Sequence, residues 1–140
     1  MIFDPPRDQV RDMFFEAWRK YRGGQPLVGI EALAADVALV HPEYHALLDD
    51  PAHYREKEYA ESNPFLHMSL HMALEEQLSI DQPAGIAAHF AALVARHGER
   101  HAALHEALEC LAETIWRSQR DNAPPDGAAY LDCLGRRARK

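Results

Sequence analysis

Cysteine is nearly missing from this chain. Cys110 and Cys133 are the only two, too few for a disulfide framework and too far apart for a Cys-x-x-Cys motif. Both are expected to be reduced, and Cys110, on the side of its helix away from His101 and His105, to be inert. No stretch approaches the roughly 18 apolar residues of a membrane span. The opening residues, Met1–Pro6, carry neither a basic region nor an apolar run, so no signal peptide and a cytoplasmic location are expected. Basic charge is also short. A net charge of −7 argues against a nucleic-acid partner, because neutralising phosphates needs a basic face. The one basic cluster, about residues 136–140, reads as a solvated tail. The glycine loops that cradle phosphates and the Gly-x-Ser-x-Gly elbow are absent. So is the period-two alternation of β-strands.

What remains is a helical protein. With 140 residues, 47% of them hydrophobic and 26% charged, the chain reads as one soluble domain over 1–140 with a real core. Asp4 with Pro5 and Pro6 marks a helix start. Val10, Met13, Phe14, Ala17, Trp18 and Tyr21 then form an apolar face, ended by Gly23 and Gly24. A second helix is expected from about Pro26 to His41, and a short one between Pro42 and Pro51. Asn63 and Pro64 repeat the cap-then-proline signal ahead of a helix to about Ile80. Further helices are expected over about 83–97, 99–119 and 128–134, with 50–62 left without a defined element. The expected fold is all-α, a compact single-domain bundle of five to seven helices.

Histidine is the residue in excess. Among nine histidines, four pairs stand at i,i+4: His41/His45, His67/His71, His97/His101 and His101/His105. Chance placement would give roughly 0.6 such pairs, and this is the spacing at which helical neighbours meet. Two pairs belong to a repeat. His67-Met-Ser-Leu-His71-Met-Ala-Leu-Glu75 and His101-Ala-Ala-Leu-His105-Glu-Ala-Leu-Glu109 share the pattern His-x-x-Leu-His-x-Ala-Leu-Glu. On a wheel advancing about 100° per residue, each pair of imidazoles lies beside the leucine ridge, the side that should turn inward. Trp116 falls where it would roof the second stripe. Met68 and Met72 read as core.

Buried imidazoles and carboxylates cost free energy unless they are paired or bound to a cation. Histidines at i and i+4 can hold one ion from one helical face. If the helices over 64–80, 83–97 and 99–119 run up, down and up, the two copies lie parallel. His67 then meets His101, His71 meets His105, and Glu75 meets Glu109, with His97 at the same end. His41 and His45 flank a turn and serve either as further ligands or as caps. Mixed imidazole and carboxylate ligation suits one or two divalent ions, iron, zinc or manganese. Bundles with inward-facing glutamates and histidines hold such centres, which makes oxygen or redox chemistry the expected use. His53 and His89 read as ordinary core histidines. Glu106 follows His105 in the wrong register for the base of a zinc hydrolase.

Several phrases, among them Arg7–Tyr21, His41-Pro-Glu-Tyr-His45, Asn63–His71, Ser79–Ile86 and the histidine run from His97, resemble the bacterial domain-of-unknown-function family DUF1841 over nearly the whole chain. The resemblance implies a small, mostly proteobacterial, intracellular protein and assigns no catalytic residue. Beside the metal reading stands a non-enzymatic interaction module, in which the inward histidines bond to Glu75, Glu109 and Glu113 with no ion. Either reading leaves room for a homo-oligomer; no membrane partner is expected.

Overall fold

Apolar residues at helical spacing, punctuated by Asn/Asp-Pro starts and glycine stops, account for most of the architecture. The structure, a computed structural model, describes residues 7–140. The Asp4 cap and the prolines at 5 and 6 lie outside the described residues. Among those described, eight α-helices and one 3-10 turn are found, so the fold is all-α, but the expected five to seven helices is a miscount. The extra helix is a single turn, Pro51–Tyr54. Pro51 reads from sequence as a stop, yet the Asp50 side chain accepts from the His53 amide. Asp50-Pro51 is therefore the same cap-then-proline start as Asn63-Pro64. His53 on this turn is exposed, contrary to the expected core position.

The described residues fall into two compact units, 7–72 and 73–140, divided inside one long helix. In the first unit, α1 (Arg7–Arg22) packs on α2 (Ile30–Leu39). Phe14, Ala17 and Trp18 of α1 are buried against Ala34, Val37 and Ala38 of α2; the small α2 side chains leave room for the α1 aromatics. Burying Phe14 and Trp18 contributes about 2–3 kcal/mol each. Pro42 cannot continue α2 and opens the 3-10 turn Pro42–Tyr44, which leads into α3 (His45–Leu48) and then α4 (Pro51–Tyr54). α5 (Pro64–Ile80) starts where Asn63 Oδ1 accepts from the amides of Phe65 and Leu66 at 2.9 and 3.3 Å. Phe65, Met68 and Met72 complete this core.

In the second unit, α6 (Ile86–His97), α7 (Arg100–Asp121) and α8 (Gly127–Ala138) pack pairwise. Gly98, at φ 73°, ends α6 in the left-handed conformation that costs glycine least. Glu99 caps α7 and Asp126 caps α8 through their side chains. α8 is longer than the expected 128–134 and takes in part of the basic tail. At Gly135 it approaches α6 closely: a Cβ there would meet the His89 ring at 3.3 Å. Cys110 and Cys133 form a disulfide between α7 and α8, correcting the expectation of reduced, inert thiols. Cys110 does point away from the histidine stripe, but α8 lies on that side. No spacing rule reveals a partner 23 residues away. Among the described residues no helix is long and apolar enough to cross a membrane.

Two polar anchors hold the first unit's loops. The Arg11 guanidinium, 2% exposed, donates through Nη1 to the carbonyls of Arg55 and Lys57 at 2.9 and 2.7 Å. It also lies over the rings of Phe65 and Tyr59. Arg11→Ala should lower stability by about 3 kcal/mol, the loss of two charge-assisted bonds and two cation–π contacts. It should also expose Arg55 and Lys57 to trypsin; unchanged urea midpoint and cleavage would contradict that role.

Asp49 accepts from Trp18 Nε1 at 2.8 Å and pairs with Arg22. The Arg22 hydrogen bonds first, then that of Trp18, hold its carboxyl below the usual carboxylate range. The folded-state value is depressed, so the contribution is present above the unfolded value and is lost as pH falls through the folded one. Asp49→Asn should therefore flatten the acid limb of a stability–pH curve below about pH 4, as read by urea melts from pH 2 to 7.

Candidate metal centre

Three histidines of the first unit converge, and each is placed by a separate local rule. His41 follows α2 and precedes Pro42. The residue before a proline is pushed out of the helical region, and His41 sits at φ −126°, ψ 69°. Its side chain is fully buried. His67 and His71 stand one turn apart on α5, half-buried and buried respectively. The ligand atoms of all three lie within 4.8 Å of one another.

The tautomer of His41 follows from its backbone neighbour. Nδ1 is 2.7 Å from the Val37 carbonyl oxygen. A carbonyl only accepts, so Nδ1 carries the proton and Nε2 presents a lone pair. That Nε2 is 3.2 Å from His71 Nε2, which is 3.2 Å from His67 Nε2. Their ring planes cross at 71–85°, centroids 4.5–5.1 Å apart, so nitrogens rather than ring faces meet. Tyr44 stacks on His41 at 5.5 Å and meets the edge of His67. Burial, then the nearby Glu43 charge, raises its phenol above the usual value.

Neutral rings cannot use both nitrogen–nitrogen contacts at full strength. If His71 Nε2 carries a proton, that proton is shared between two acceptors. If it does not, lone pairs of His71 and His41 face each other. A cation between the nitrogens removes the conflict. Two imidazole nitrogens on one tetrahedral ion, at metal distances of about 2.0–2.1 Å, stand roughly 3.3 Å apart. The observed 3.2 Å is close to that edge.

The other candidate residues have different surroundings. His45 donates from Nε2 to the Ala38 carbonyl at 2.7 Å and packs its ring on Trp18, which ties α3 to α1 and α2. In the second unit, His101 and His105 lie ring to ring at 4.2 Å on α7, both half-buried. Glu75 spends both carboxylate oxygens on Arg100 at 2.8 Å. Glu109 is exposed and bonded to Arg137 at 2.8 Å. His97 is exposed and paired with Glu106. Trp116, 57% exposed, covers nothing and instead meets Arg120. The sequence had the His67/His71 pair and left His41 open between ligand and cap. Pro42 removes His41 from the helix, and the His41 side chain is buried.

An all-helical chain with a buried cluster of histidines able to coordinate a metal ion is the class that this geometry defines. Its family follows: a model described as domain of unknown function (DUF1841) matches residues 6–136, and the chain belongs to that family. No curated protein and no solved structure matches it.

The tautomer is directly observable. In long-range proton–nitrogen NMR spectra of metal-free protein at pH 8, His41 is expected to show a protonated Nδ1 and a bare Nε2. The opposite tautomer would contradict the bond to Val37.

Proposed function

We propose that this protein binds one divalent transition-metal ion through the Nε2 atoms of His41, His67 and His71. The observation that carries the reading is the pair of 3.2 Å nitrogen–nitrogen contacts in a setting where one tautomer is already fixed for ligation. With Glu75 and Glu109 engaged by arginines, a mononuclear imidazole centre is better supported than a carboxylate-bridged pair. Imidazole donors suit zinc or iron over manganese. The ion's chemistry is then Lewis-acid if zinc and one-electron or oxygen chemistry if iron.

Protein purified without a histidine tag is expected to carry about one ion per chain by elemental analysis. His71→Ala should reduce this to below about a tenth, since the ligand shared by both contacts is gone. Chelation should lower the melting temperature, because an ion that binds only the folded state stabilises it by about 2.7 kcal/mol at a hundred times its dissociation constant.

The same nitrogen contacts, taken as hydrogen bonds, favour the second reading, an interaction module with a polar core and no ion. Under it melting is indifferent to chelator. Metal content at background together with unaltered melting in EDTA would select it and end the first.

A further inference from the structure

Apart from the histidines, the second unit holds one other reactive group, the Cys110–Cys133 disulfide joining α7 to α8. Its two sulfurs are not equivalent. Cys110 is 1% exposed on the inner side of α7, whereas Cys133 is 7% exposed and lines a cleft of about 390 Å³ between α7 and α8. The cleft carries both signs of charge side by side, as Arg117 with Glu113 and Arg136 with Asp132. Each pair is closed on its own helix at the surface, and a small zwitterion bearing carboxylate and ammonium groups would bind by exchanging into these pairs. We propose that Cys110–Cys133 is an exchangeable clasp, and that Cys133 is the site where a low-molecular-weight zwitterionic thiol of the glutathione class is taken up and released.

The chemistry balances through thiol–disulfide exchange. A thiolate entering from the cleft attacks Cys133 Sγ. The new sulfur–sulfur bond forms as the Cys110–Cys133 bond breaks, and the electron pair leaves with Cys110, which is then protonated by solvent. A second thiolate attacks the mixed disulfide, forming the small-molecule disulfide and freeing the Cys133 thiolate. Two electrons pass from two small thiols to the cystine. In the oxidising direction, glutathione disulfide delivers one glutathionyl group to Cys133, and Cys110 then expels it as the clasp closes. Closing ties together residues 23 apart in sequence and restricts the unfolded chain. Opening frees α8, which carries the Arg137–Glu109 pair, from that tether to α7.

The test uses the full chain, isolated with its thiols alkylated at lysis and again after controlled reduction. Reduced wild-type protein treated briefly with glutathione disulfide and quenched with acid is expected to carry glutathione on the Cys133 peptide at least tenfold more than on the Cys110 peptide. In 6 M guanidinium the two should label equally. Reduction should lower the melting temperature by roughly 10 °C. Cys110→Ser, which removes the resolving thiol, should accumulate the Cys133 adduct. Should that variant fail to fold, the wild-type peptide ratio still decides the matter. Equal labelling in the folded state, preferential labelling of Cys110, or failure of glutathione disulfide to close the reduced pair would overturn the proposal.

Discussion

A single carbonyl group sets the direction of the histidine cluster. Val37 is one turn before His41, and its oxygen holds the Nδ1 proton of that ring at 2.7 Å. Everything that follows at the centre depends on this bond, because it leaves Nε2 bare and aims it at His71. The carbonyl is available because α2 ends ahead of Pro42, and the His41 amide that would close the next helical turn on Val37 donates to Ala38 instead. A helix terminus, ordinarily a liability, becomes the support of a ligand-like nitrogen. His45 uses the same supply one turn later, taking the Ala38 carbonyl.

Charge is sorted by depth. Among the described residues the ion pairs are mainly at the surface, where each contributes little to stability. Arg100 pairs with Glu75 and Arg137 with Glu109. His41, His67 and His71 meet one another, and His41 and His45 also meet backbone carbonyls. Arg11 is the exception, a buried cation held by two carbonyls and two ring faces. There, too, backbone oxygens stand in for water.

The elements legible in sequence are those with strictly local causes. Asn63-Pro64 begins α5 and Gly98 ends α6 as their chemistry predicts, and Met68 and Met72 are core. Asp50-Pro51 obeyed the same rule and was misread, because a proline after a short helix looks like its end. The repeat put His67 and His71 on one face, and their rings do meet; the arginine partners of Glu75 and Glu109 were not legible, since a wheel is silent about an arginine 25 residues away.

What the sequence determined alone is therefore the helical class, most element starts and the presence of a histidine face on α5, all consequences of interactions within about one turn. Tertiary structure decided that His41 joins that face while His45 turns to Trp18, that arginines hold the repeat carboxylates, and that Cys110 meets Cys133. Those outcomes depend on which surfaces the packed helices bring opposite each other. Hydrogen bonds, ion pairs and sulfur bonds all act over a few ångströms, and only packing makes distant residues neighbours at that range.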